Sequence, residues 1–252
     1  MNNKKISAST WAQRAQAELG AQKRFQHLIK EFVDHKIKPK IIRLAVEAYN
    51  DERKHALICA DIARNLGHET GYELPDGSER SFVKPWAHLK DSRKKLVLDM
   101  VFMCCITETI NASLLNTLYA YSKKSELGKI LNQIFKDEVK HGKLGWAFLS
   151  AESKINSCGY ISEYLPEMFE LAINDDLLLP IVTHEANQSD LLKKGVLPVS
   201  YRREQFNETF ITVILPAFNK FNIDTRGAKS WHQNKKWAKT TRLDGSNKRA
   251  SL

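Results

Sequence analysis

The chain has 252 residues, with 39 lysines and arginines against 29 acidic residues, a formal charge of +10 and a mean hydropathy of −0.42. That composition suits a soluble chain with a sizeable core and excludes a disordered chain, a collagen-like repeat and a disulfide scaffold. No run approaches the roughly 18 apolar residues of a membrane helix, and no apolar stretch follows Lys4 and Lys5, so neither a membrane span nor a secretory signal is expected.

Glycine and proline are scarce, at 11 and 7, and apolar residues recur at spacings of three and four rather than two. This predicts an all-helical chain. The first helix is expected from Ser9 to His35, capped by Ser9 or Thr10, with Ala15, Glu18, Phe25, Ile29 and Phe32 on one face. The second starts at Pro39, a good first-turn residue, and ends before Gly67; Ala45, Ala48, Glu52, His55, Cys59 and Ile62 share its inner face. An irregular connection follows to about Asp91, long enough to cover something. The third helix is expected over 91–121, with Cys104, Glu108 and Asn111 inside. The fourth is expected over 125–153, with Ile134, Glu138, His141 and Gly145 inside. Two more are expected, over 162–189 with an interruption at Pro180, and over 200–221. No linker precedes Asp224, so residues 1–225 read as one domain and 226–252 as a tail.

That tail carries eight basic residues and one acidic residue, whereas the first 225 residues are near neutral with 31 basic and 28 acidic. A basic tail is expected to be solvated or to pack through Trp231 and Trp237. The near-neutral body argues against nucleic acid as a partner. The four cysteines, at 59, 104, 105 and 158, contain no C-x-x-C, which points to buried reduced thiols in a cytoplasmic protein rather than a zinc site.

Residues 51–55 read Asp-Glu-Arg-Lys-His and residues 137–141 read Asp-Glu-Val-Lys-His. Glu and His three apart lie on one helix face, where both can reach one metal ion. Glu18 lies 34 residues before Glu52, and Glu108 lies 30 before Glu138. Two helical hairpins would therefore each supply Glu, then Glu-x-x-His. Four carboxylates in one core repel one another and are costly to bury, a conflict that divalent cations resolve. No Arg is expected on those faces, so a metal-free salt-bridge network is not.

On these residues the chain resembles the ferritin-like superfamily of dimetal-carboxylate proteins. More narrowly it is similar to a bacterial group of ferritin-like-domain proteins, through Asp51-Glu52-Arg53-Lys54-His55-Ala56, Glu108-Thr109 and Asp137-Glu138-Val139-Lys140-His141. Gly195-Val196-Leu197 and Val213-Ile214-Leu215-Pro216 extend the likeness, which covers about residues 10–220. The resemblance implies a ferritin-like four-helix bundle with about two additional C-terminal helices. It makes Glu52 and Glu138 bridging ligands, Glu18 and Glu108 terminal carboxylates, and His55 and His141 ligands of one metal each. Asp51 and Asp137 would each accept a hydrogen bond from the ligand His of the opposite helix. Tyr49, Cys104, Asn111 and His184 are further candidates near the centre. Ile134 stands where a related N-oxygenase can carry an extra His.

The implied activity is that of an O2-activating oxidase or oxygenase. Its cofactors would be two Fe ions, or Fe/Mn or Mn/Mn, with O2 as co-substrate and a small organic substrate hydroxylated, desaturated or N-oxygenated. A ferroxidase or iron-handling protein, a non-catalytic metal-stabilised interaction module and a tRNA-modifying hydroxylase are the alternatives. The electron donor is unspecified, and a homodimer is left open.

Overall fold

The computed structural model describes residues 3–68, 84–173 and 187–235, and every regular element among them is helical. Four long helices come first: α1 (Asn3–Asp34), α2 (Pro39–Asn65), α3 (Ser92–Ser122) and α4 (Glu126–Glu152). Pro39 opens α2, where its missing N–H forfeits no bond. The Asp91 carboxylate accepts from the Lys94 amide and the Ser125 hydroxyl accepts from the Gly128 amide, each at 3.0 Å, capping α3 and α4. α1 does not start at the expected cap. It begins six residues earlier, and the Thr10 hydroxyl instead donates within the helix to the Ile6 carbonyl at 2.9 Å. The early turn is held by tertiary contact: the Asn3 amide donates to the Asn187 carbonyl at 3.1 Å and to Asp190 at 2.9 Å.

α1 packs along α2, α3 packs along α4, and α2 crosses to α4. Phe25, Phe32, Ala48, Cys59, Leu131 and Phe148 are among the side chains that join these helices in one continuous core. By length and composition α3 would cross a membrane, but 72% of its most apolar 18-residue window is buried against the rest of the protein, as in a core helix.

α3 departs from a plain helix in the middle. Residues Val101–Glu108 are wound as a π-helix, the wider turn that often marks functional sites. Glu108 is its last residue. α4 approaches this segment so closely that a Cβ on Gly145 would lie 2.5 Å from the Cys104 Cβ and 2.8 Å from the Cys105 backbone nitrogen.

Four shorter helices follow: α5 (Leu165–Ala172), α6 (Gln188–Lys193), α7 (199–219, with a second π turn at Phe210–Ile214) and α8 (Arg226–Gln233). Of the helix expected over 162–189 with its interruption at Pro180, Leu165–Ala172 is α-helical; residues 174–186, Pro180 among them, lie outside the described residues, and the Asn187 side chain caps a further helix by accepting from the Asp190 amide at 3.2 Å. α6 docks on α1. Gly195, left-handed at φ +73°, lets the following turn lie on the Trp11 ring, whose Nε1 donates to the Lys194 carbonyl at 2.8 Å. α8 lies on α5: Trp231 stacks on Phe169 with ring centres 5.7 Å apart, and its Nε1 donates to Glu170 at 2.7 Å. Trp237 lies outside the described residues.

The Gly145 contact is with backbone, which has little room to move. Gly145→Ala is therefore expected to destabilise the protein by about 1–3 kcal/mol, read as a lower thermal midpoint; an unchanged midpoint would show that α3 and α4 can separate freely.

Candidate metal centre

The centre is built on one inward stripe from each long helix. Glu18 comes from α1, Glu52 and His55 from α2, Glu108 from the end of the π segment, and Glu138 and His141 from α4. Their potential ligand atoms form two groups, each within 4.8 Å: Glu18, Glu52, His55 and Glu138; and Glu52, Glu108, Glu138 and His141. Glu52 and Glu138 belong to both. The imidazole centres are 6.0 Å apart.

Both imidazoles are oriented alike. His55 turns Nδ1 toward Glu18, Glu52 and Glu138 at 3.8, 3.7 and 3.6 Å. His141 turns Nδ1 toward Glu52 and Glu138 at 3.0 and 3.4 Å. The opposite nitrogens face the aspartates of the partner helix, His55 Nε2 to Asp137 at 3.5 Å and His141 Nε2 to Asp51 at 3.7 Å. A carboxylate behind a ligating imidazole fixes its tautomer and raises its basicity. Each aspartate is held in turn by the lysine three residues on, Asp51 by Lys54 at 3.0 Å and Asp137 by Lys140 at 2.6 Å, with the Gln133 amide donating to Asp137 at 2.8 Å. The Lys of the repeated Asp-Glu-x-Lys-His thus has a role that the sequence displayed in both copies and that the motif reading passed over.

The site is nearly dry. Side-chain exposure is 12% for Glu18 but 0–2% for Glu52, His55, Glu138 and His141. Burial lifts the Glu18 carboxyl to about 8 despite the His55 contact. Burial also lifts Glu108 well above the carboxylate range, with repulsion from Glu138 adding to it. For Glu52, burial and the Glu138 charge push upward, but the two imidazoles prevail and the carboxyl stays below its ordinary value. Burial pushes Glu138 up too, and His141 and His55 outweigh it, holding it well below. Burial opposes charge on both histidines, yet the carboxylates win: His55 is raised far above its usual value, and His141 to about 12 with Asp51 the leading contact. The His141 contact in turn takes Asp51 down to about 2.

The bare protein therefore balances two imidazolium ions against two carboxylates and keeps two further carboxyls protonated. That balance leaves bonding capacity unused. Seven buried atoms of Glu52, His55, Glu138 and His141 have no hydrogen-bond partner. Buried polar groups are rarely left so. Carboxylate oxygens and imidazole nitrogens converging as charge pairs without hydrogen bonds are the donor set of a hard or borderline divalent cation, so the residues present fit a dimetal group.

Of the other expected participants, Tyr49 packs against the core and Asn111 is half-buried on α3. Cys104 is fully buried against Gly145, and burial raises its thiol well above the ordinary value. His184 lies outside the described residues. Arg14 precedes Glu18 by one turn and its charge acts on the Cys59 thiol, but among the described residues no ion pair joins it to a ligand carboxylate. Comparison with protein-family models, curated proteins and solved structures finds no match to this chain.

Three outcomes follow for metal binding. Ligation must expel the protons of Glu18, Glu108, His55 and His141, so loading two divalent ions at neutral pH should release about four protons, measured by calorimetry in buffers of different ionisation enthalpy. A proton on Glu18 competes with the metal below about 8, so affinity should rise with pH toward that value and gain nothing more from Glu18 beyond it. Asp137→Asn should weaken metal binding about 10–100-fold while the far-ultraviolet dichroism stays helical.

Proposed function

We propose that the protein is an O2-activating dimetal oxidase or oxygenase with a ferritin-like bundle, acting on a small organic substrate. The observation that carries this reading is the pair of ligand groups sharing Glu52 and Glu138, with buried donor atoms left unpartnered. In this reading Glu52 and Glu138 would be shared by both ions, Glu18 and His55 would complete one ion's protein ligands, and Glu108 and His141 the other's. Such a carboxylate-rich set with two nitrogens suits iron or manganese. When bound, the metal pair supplies O2 binding and the electrons that begin its reduction.

The remaining work falls to the chain. Asp51 and Asp137 hold the imidazoles with Nδ1 inward, so each ligand is in place before metal arrives. Ile134, Cys104 and Phe25 exclude water around the carboxylates; Phe25 sets its ring edge-on to His141 at 5.4 Å. Low water access strengthens electrostatic control and protects reactive oxygen species from stray protons. Glu18, the most exposed of the ligands with a stated exposure, marks the side where exchange with solvent is easiest.

Anaerobic reconstitution with Fe(II), followed by rapid mixing with O2, tests the reading. Two irons per chain and a transient optical band within milliseconds are expected. Glu52→Gln and Glu138→Gln should each bind fewer than two irons and give no band. No bound metal would overturn the reading. Two metals without any O2 reaction would redirect it to a structural module, and continuing iron uptake far beyond two per chain to iron handling.

A further inference from the structure

The two halves of the repeat are alike at the ligands and differ one turn beyond them. Four residues before its terminal Glu, α1 carries Arg14 and α3 carries Cys104; seven residues after its shared Glu, α2 carries Cys59 and α4 carries Gly145. His55 faces Asp137 while His141 faces Asp51, so α2 and α4 run antiparallel and these two pairs lie at opposite ends of the centre. The Cys104–Gly145 end is sealed, because the backbones touch where a Cβ would fall 2.5 Å from a neighbour. The Arg14–Cys59 end holds a guanidinium instead.

That guanidinium is fixed, and one of its nitrogens is left without a partner. It sits 4.6 Å from the centre of the Trp11 ring, and Trp11 is fully buried and tied to Lys194. Its Nη1 is buried and has no hydrogen-bond partner. A heptad earlier on the same stripe, the Ser7 hydroxyl is also buried without a partner. Seven residues apart, Arg14 and Ser7 share one helix face, and since helical side chains lean toward the N-terminus the Arg14 guanidinium, seated over Trp11, lies on the Ser7 side of its own backbone. On α2 the residues at this level, Cys59, Ala60 and Ala63, are small and buried. A buried N–H of a cation without an acceptor is costly, and its natural acceptor is an anion with planar oxygens, which a guanidinium grips through two N–H groups.

We infer that Arg14, with Ser7, anchors the carboxylate of a small substrate at this end of the centre, the rest of the molecule reaching toward Glu18 and His55. The inference rests on the oxidase reading for calling this ligand a substrate. The anchor lies one to two helical turns from Glu18, about 5–10 Å, which suits a chain of a few carbons or a single ring between carboxylate and reacting atom.

Titration calorimetry on the full chain, metal-free and anaerobically loaded with Fe(II), tests it with butanoate, hexanoate and benzoate against the uncharged butanamide, hexanamide and benzamide. At least one acid should bind about tenfold or more tighter than its amide in the metal-free protein, where the acid has no metal to ligate. Arg14→Gln should erase that preference, Arg14→Lys should restore part of it, and Arg24→Gln, at a surface cavity beside Phe102 and Met103, should leave it intact. Acids and amides binding alike, or not at all, in the wild type would overturn the inference. So would an acid preference that survives Arg14→Gln or vanishes with Arg24→Gln. If Arg14→Gln loses its helical signal, Arg14→Lys and the wild-type comparison decide. Iron counts on the same samples separate the two claims. Two irons without acid preference refute the anchor alone; Arg14-dependent preference without iron refutes the dimetal reading alone.

Discussion

Four carboxyl groups held within a few ångströms of one another in a dry core constrain everything else in this protein. Left alone they would repel and would be poorly solvated. Two histidines offset two of them, and burial keeps Glu18 and Glu108 protonated, so the bare core carries little net charge. This neutrality is reached with protons rather than with arginine or lysine partners inside the cluster. Protons are small and exchangeable, so a cation can replace them without repacking the helices. The same four carboxyls closed by buried salt bridges would be a permanent structural feature with no vacancy to fill.

The constraint extends outward through the aspartates. Asp51 and Asp137 each stand behind the imidazole of the opposite helix, so α2 and α4 are clamped by two reciprocal contacts rather than by apolar packing alone. Lys54 and Lys140 sit on the solvent side of those aspartates, with side-chain exposures of 68% and 62%, and complete a chain of alternating charge from water to core. An exposed pair of this kind contributes little to stability. Its value here is directional, because it keeps the aspartate turned toward the histidine.

The parts of the molecule governed by local rules were legible in the sequence. Pro39, Asp91 and Ser125 mark helix starts through their own chemistry, and the doubled Asp-Glu-x-Lys-His places the six residues that converge. What escaped depends on contacts distant in sequence. α1 starts at Asn3 because Asn187 and Asp190 are there to receive it. The π-helix of Val101–Glu108 carries no local signature; its residues, Val-Phe-Met-Cys-Cys-Ile-Thr-Glu, would sit equally well in an ordinary α-turn. The start of α6 was hidden because its cap, Asn187, falls within a stretch whose apolar spacing reads as helix.

The π segment and Gly145 explain each other. A π turn widens the helix by one residue and shifts the face that follows it, which turns Glu108 inward at the end of the segment. The wider backbone would collide with any side chain at position 145, so the partner helix carries glycine there. In the other half, α1 is a plain helix at the corresponding level, and the space beside α2 holds Arg14 over Trp11. The two hairpins thus hold their ligands in the same register while their flanks differ, one closed by touching backbones and the other holding a guanidinium. Trp11 links that flank to the C-terminal helices through Lys194 and Gly195, so the short elements after α4 brace the side of the bundle that carries Arg14.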